Sequence, residues 1–193
     1  MIEIPEGVFR MGTGPISESH GERLVMQETF YIDPYEVTNQ DFVKQFPQHG
    51  YRPGAEKHPV SQVTWYEAGQ FCRSLGKRLP SEEEWEKAAR GTDGRTYPWG
   101  EKLPRRKPHP YFSGLIKRRV GMDRKDVSPY GGHDMAGSVW EWTSGQQAGK
   151  IAVRGGLWNL HLDYHYSKTY DRNLLDPDQR FPFLGFRCAR STK

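Results

Sequence analysis

Three helix-start signatures crowd into residues 37 to 91: Thr38 with Asp41, Thr64 with Glu67, and Ser81 with Glu84. At that spacing a hydroxyl residue and an acid can each satisfy a backbone donor left exposed in the first helical turn. Beyond Thr92 the pattern changes to short apolar pieces, such as Tyr97-Pro98-Trp99-Gly100 and Val139-Trp140-Glu141-Trp142, divided by turn residues. The 21 Gly and 14 Pro are spread along the whole length. Helices early, strand-like pieces at the start and long irregular stretches late predict an α+β fold: small mixed or antiparallel sheets, two to three short helices and much irregular loop. Alternating βαβ units are not expected.

In the second helix Ala68, Phe71, Cys72 and Leu75 fall at i, i+3, i+4 and i+7, which predicts one buried stripe with Gly76 as a left-handed stop. The third, Glu82 to Arg90, is expected to bury Trp85, Ala88 and Ala89 and to end at Gly91. Gly7 to Gly12 and Glu28 to Ile32 read as strands, with the polar Thr13 to Arg23 between them.

Hydrophobic residues make up only 35% of the 193 residues, but aromatics reach 13% with six Trp, and large rings bury enough area to build a core. One domain over residues 1 to 193 is expected. No apolar run is long enough to span a bilayer, and Met1-Ile2-Glu3-Ile4-Pro5 lacks the basic head and apolar segment of a secretion signal. The default compartment is therefore cytoplasmic. A net charge of +4 raises the question of nucleic acid, yet Arg105-Arg106-Lys107 and Lys117-Arg118-Arg119 lack interleaved stacking aromatics, so no nucleic-acid partner is expected. The two cysteines, Cys72 and Cys188, have no C-x-x-C spacing and form neither a zinc cluster nor a redox motif; they read as a buried structural pair.

Gly7-Val8-Phe9-Arg10-Met11-Gly12, Tyr35-Glu36-Val37-Thr38-Asn39, His58-Pro59-Val60, Gly76-Lys77-Arg78-Leu79-Pro80-Ser81, Tyr97-Pro98-Trp99-Gly100, Gly137-Ser138-Val139-Trp140-Glu141-Trp142, Arg154-Gly155-Gly156 and Gly185-Phe186-Arg187 together resemble the formylglycine-generating enzyme, or sulfatase-modifying factor, family. The resemblance runs over nearly the whole chain and implies a C-type lectin-like fold of the formylglycine-generating subtype. It also implies that Cys72 and Cys188 match a structural disulfide of related enzymes, although two buried free thiols in a reducing compartment suit the same residues. Asp134 to Glu141 resembles the family's calcium loop, with side-chain oxygens from the positions of Asp134 and Glu141 and backbone carbonyls from those of Gly137 and Val139. Hard oxygen donors in a turn suit Ca²⁺, while carboxylates capping nearby backbone donors are the plainer reading.

Catalytic relatives carry two copper-holding thiols just beyond the Arg-Gly-Gly motif, at positions close to Leu160 and His165 here. Neither residue can act as a thiolate, so no copper is expected and the chain is read as a non-enzyme. His161, Asp163 and His165 are ordinary transition-metal ligands, but a mixed recognition surface fits that segment better.

The family also resembles variable proteins diversified by retroelements, in which varied residues descend from asparagine codons. Against a fixed frame of Arg154-Gly155-Gly156, Trp158, Ser167, Arg172, Pro177, Arg180 and Gly185-Phe186-Arg187, the candidate ligand-binding residues lie in a variable region of about 157 to 184. They are Leu157, Asn159, Leu160, His161, Leu162, Asp163, Tyr164, His165, Tyr166, Tyr170, Asp171, Asn173, Leu174, Leu175, Phe181, Pro182 and Phe183. From Asn159 on, each can arise from an Asn triplet by changes in the first two bases; Lys168 and Gln179 cannot. Independently of that history, Tyr, His, Phe and Leu mixed with Asp and Asn, without a helical or strand period, make a plausible binding surface for a protein or other macromolecule. Some of Leu160, Leu162, Leu174 and Leu175 must instead fill core. Two further readings stay open: a pseudoenzyme or accessory subunit with one fixed ligand, and an oxidoreductase with a rearranged site.

Overall fold

A computed structural model describes residues 1–13, 21–102, 119–156 and 168–192. In chain order the elements are β1 (Ile2–Ile4), β2 (Gly7–Met11), β3 (Arg23–Gln27), β4 (Phe30–Ile32), α1 (Asn39–Phe42), α2 (Trp65–Ser74), α3 (Glu82–Arg90), β5 (Trp140–Gln147), β6 (Lys150–Arg154), β7 (Arg172–Leu175), β8 (Leu184–Gly185) and β9 (Ala189–Ser191). The strands form small sheets in the orders β1-β4-β9, β2-β3 and β7-β6-β5-β8. Every pairing is antiparallel except β5 with β8. This is the α+β architecture expected from the pattern.

The helix starts behave as their chemistry dictates. Thr64 and Ser81 accept from the backbone N–H of Glu67 and Glu84, and both glutamates reach back to the cap's own N–H, closing two reciprocal capping boxes. Thr38 caps α1 in the same way, but Asp41 is one carbon shorter than Glu, and its carboxylate takes the Thr38 hydroxyl instead at 2.7 Å. In α2, Ala68, Phe71 and Cys72 are buried, whereas Leu75 is 48% exposed. The expected stripe ends one turn early because Leu75 is the C-cap, where the chain leaves the helical path and Gly76 follows at φ 65°. Residues Arg23–Gln27, of which Arg23 was expected to end the polar divider and the rest was assigned to no strand, pair with β2 along its whole length.

The larger core gathers Phe42, Phe71, Trp142, Val153, Phe186 and a disulfide between Cys72 and Cys188, whose Cα atoms lie 5.7 Å apart. A second cluster packs Ile4, Phe30, Ile32, Trp85 and Met135 between the three-stranded sheet and α3. Among the described residues no helix is long and apolar enough to cross a membrane.

Candidate ligand-binding site

The four-stranded sheet carries the frame on which the candidate residues are mounted. Arg154 ends β6 with 1% of its surface exposed, a burial an unpaired guanidinium could not sustain. It is met from α3 by Glu86 and Glu82, each at 2.9 Å. Arg90 joins Glu86 at 3.0 Å, and Arg172, at the start of β7, joins Glu82 at 3.1 Å. One ionic network therefore clamps the chain on both sides of residues 157–167. The signal was present in sequence as acids spaced i, i+4 on a helix, but Glu82 also reads as a first-turn acid favoured by the helix dipole.

The two glycines after Arg154 are there for room. Gly155 holds φ 78°, and a Cβ on it would come within 2.6 Å of the Trp85 ring; one on Gly156 would run into the Trp140 ring.

Leu157, Asn159, Leu160, His161, Leu162, Asp163, Tyr164, His165 and Tyr166 lie outside the described residues. The remaining candidates are described. Tyr170 is half-buried, with the Arg90 guanidinium 5.2 Å and the Lys168 ammonium 5.5 Å from its ring centre. Asp171 accepts from the Lys168 backbone N–H at 2.8 Å, and burial holds its carboxyl above the usual range. Asn173 is exposed on β7, opposite Val153. Leu174 is half-buried, and Leu175 packs against the larger core, so the core-filling role expected of some leucines falls at least to this one. Phe181 is 43% exposed and Pro182 is exposed, while Phe183 is half-buried, its carbonyl accepting from Trp140 N–H at 2.7 Å. The frame residues Gly185, Phe186 and Arg187 that follow are fully buried.

An acid-rich centre that only its calcium motif signalled in sequence gathers around Arg187. Arg187, with no exposed surface, donates from Nε and Nη2 to both oxygens of the equally buried Glu141, each at 2.7 Å, and Trp85 Nε1 adds a bond to Glu141 Oε2 at 2.9 Å. Glu141 thus has a firm partner of its own. Asp134, at φ 57°, accepts from Gly121 N–H, and burial pushes its carboxyl up to about 6. Asp126 is pushed to about 8 by burial and by Asp134. Glu36 lies well above the usual carboxylate range, through burial and then through Asp134 and Glu141. Ser138 eases that rise, yet neither Glu36 oxygen has a hydrogen bond of full geometry, and Asp126 Oδ1 has none either. These orphaned buried oxygens suit a hard cation beside Asp134 better than the Glu141 carboxylate does. Among the described residues, no three His, Cys, Asp or Glu side chains are arranged to hold a metal by themselves.

Compared with known proteins, residues 1–192 match the family model described as sulfatase-modifying factor enzyme 1-like domain. The chain is 30% identical to the formylglycine-generating enzyme of Mus musculus, covering 98% of this chain and 74% of the relative. It is equally 30% identical to the inactive C-alpha-formylglycine-generating enzyme 2 of Bos taurus, covering 98% and 87%. Among solved structures, Treponema denticola variable protein 1 shares the fold with a TM-score of 0.79 at 20% identity, covering 100% of this chain and 95% of that one.

Proposed function

The chain belongs to the sulfatase-modifying factor enzyme 1-like family, and from that membership we propose that it is a non-catalytic ligand-binding protein whose region of about 157 to 184 is diversified by a retroelement. One observation carries the reading. Around this region, burial favours diversification at the edges: Arg154, Gly155, Gly156, Gly185, Phe186 and Arg187 are buried, while Tyr170, Asn173, Phe181, Pro182 and Phe183 all retain exposed surface; inside it burial does not divide the two sets, since the frame residues Arg172 and Pro177 are half-buried and Arg180 is exposed. Side chains of the second group can change without disturbing the core, because surface substitutions away from caps and networks alter stability by only about 0.5 kcal/mol. The likeness in fold to a Treponema denticola variable protein points the same way. Aromatics at such positions supply contact area with few rotors, which suits a protein or other macromolecular partner.

Absence of catalysis belongs to the same reading. Both cysteines of the chain are tied in the disulfide, leaving no thiolate for copper or for attack. A structural Ca²⁺ is part of the proposal too: Asp134, with the carbonyls of Gly137 and Val139 and the buried oxygens of Glu36, would hold it, and it would add positive charge to an acid-rich centre that has Arg187 against Glu36, Asp134 and Glu141. Glu141 would serve from behind, through Arg187.

The kinship with an inactive relative favours a second reading, an accessory protein with one fixed ligand. Sequencing the DNA around the gene separates the two. Diversification expects a reverse transcriptase and a near-identical repeat that differs from the gene at adenines, in codons of the candidate positions. A locus with neither leaves the fixed-ligand protein. Aldehyde formation on a cysteine-bearing peptide by the purified protein would remove both.

A further inference from the structure

Beside the candidate face lies an open cleft of about 660 Å³, within the range of about 300–1,000 Å³ typical of ligand sites. One wall is the loop carrying His49, Tyr51 and Arg52; His58 and Gln62 line it from the segment before α2; Arg180 and Pro182 close it from the variable region. Among the described residues its charged and titratable lining is two arginines, two histidines and Tyr51, with no carboxylate.

The cleft is built rather than incidental. Gln62 holds φ 59°, a left-handed conformation that is strained for a non-glycine residue and persists only where the surroundings impose it. What imposes it is the variable region: Gln62 N–H donates to the Phe181 carbonyl at 3.0 Å, and the Gln62 carbonyl accepts from Arg180 Nη1 at 2.9 Å. Arg180 Nη2 donates to Glu67 at 2.7 Å, so the guanidinium plane is fixed before any ligand arrives. A guanidinium carries five N–H donors in a planar fork matched to carboxylates, and two such bonds leave it further capacity. Tyr51, 36% exposed, and Phe181, 43% exposed, add apolar area near the basic lining.

We propose that this cleft, whose charged residues Arg52 and Arg180 lie outside the varied positions although Pro182 is one of them, is a subsite for an acidic segment of the protein partner, receiving Asp or Glu side chains between Arg52 and Arg180. The partner's being a protein rests on the function proposed above. The consequence is a division of labour: residues of the fixed frame and of the 48–62 segment supply a shared preference for acidic surfaces, and the neighbouring varied positions choose among them.

The test is titration of the purified protein with a hexaglutamate peptide, with hexalysine and inorganic sulfate as comparison probes, followed by chemical-shift changes at Arg52, Gln62 and Arg180. Hexaglutamate should bind, weaken several-fold as salt rises from about 50 to about 300 mM, and lose about tenfold in affinity in Arg52→Gln and in Arg180→Gln, each checked for an unchanged fold by circular dichroism. Phe181→Ala should keep most of the binding. No shifts with hexaglutamate, equal binding of hexalysine, sulfate binding as tight as the peptide, or affinity untouched by Arg52→Gln would each overturn the subsite. None of those results bears on the genomic repeat, and a locus without a repeat leaves the peptide titration unaffected, so the two proposals fail separately.

Discussion

At the level of single residues, the molecule separates positions that cannot change from positions that can. Glu141 and Arg187 show the first kind. Both are fully buried, and their two short hydrogen bonds offset a large desolvation cost. Glu141→Ala removes the ion-pair partner of that guanidinium, leaving it the carbonyls of Asp33, Pro34 and His133, and should cost about 3–5 kcal/mol in urea denaturation. Gly156→Ala adds only a methyl group, but places it against the Trp140 ring beside β6; overpacking of this sort costs about 1–3 kcal/mol, read by the same measurement. Asn173 is the opposite case. Its side chain is exposed, and its side-chain hydrogen bond goes to the next residue's backbone. Asn173→Ala should move stability by no more than about 0.5 kcal/mol, and a loss like that of Gly156→Ala would remove it from the tolerant set. None of this ordering follows from residue type alone, since Arg154 and Arg180 look alike in sequence and differ wholly in burial.

At the level of elements, the helices were legible because a cap is a local event: Thr64 with Glu67 and Ser81 with Glu84 close within four residues. Leu75 was misjudged because periodicity continues past the point at which a backbone turns out of the helix. The β2–β3 hairpin was half hidden because Leu24, Val25 and Met26 are apolar in succession, without a strand's alternation, and the face carrying Leu24 and Met26 is 74% and 62% exposed. Of the acid centre the sequence marked Asp134 and Glu141 but neither Glu36 nor Asp126, whose approach is set by tertiary folding. That centre has a pH signature. The carboxyls of Asp126 and Asp134 are raised in the folded protein, to about 8 and about 6, so the protonated forms favour folding. Without calcium, the stability they contribute is complete below about pH 4, their ordinary range, and is lost as pH rises through about 6 and then 8. Thermal melts in chelator should therefore fall across that window. Added Ca²⁺ should raise the melting temperature most at its upper end, since a cation replaces the missing protons; a ligand at a hundred times its Kd adds about 2.7 kcal/mol. Identical melts with chelator and with excess Ca²⁺ would count against the ion.

For the molecule as a whole, the disulfide joins helix α2 to the segment just after the variable region, spanning a sequence separation of 116 residues. The sequence alone left it open whether Cys72 and Cys188 were bridged, because oxidation depends on compartment and geometry, and the pairing appears only once the fold brings their Cα atoms to 5.7 Å. Its position matters for the proposed display of residues 157 to 184. With the Arg154–Glu82–Arg172 network at one end and the bridge at the other, the 157–187 region is held from both sides, and within it β7 and β8 are themselves strands of the sheet. Cross-linking so long a loop restricts the unfolded chain, an entropic effect of about 4.7 kcal/mol for a loop of about 100 residues. The double variant Cys72→Ala, Cys188→Ala should therefore lose several kcal/mol in denaturant titration, and thiol reductant should lower the wild-type midpoint to a similar degree while leaving the variant unchanged. A double variant as stable as the oxidised protein would mean that the ionic clamp and core packing carry the scaffold alone.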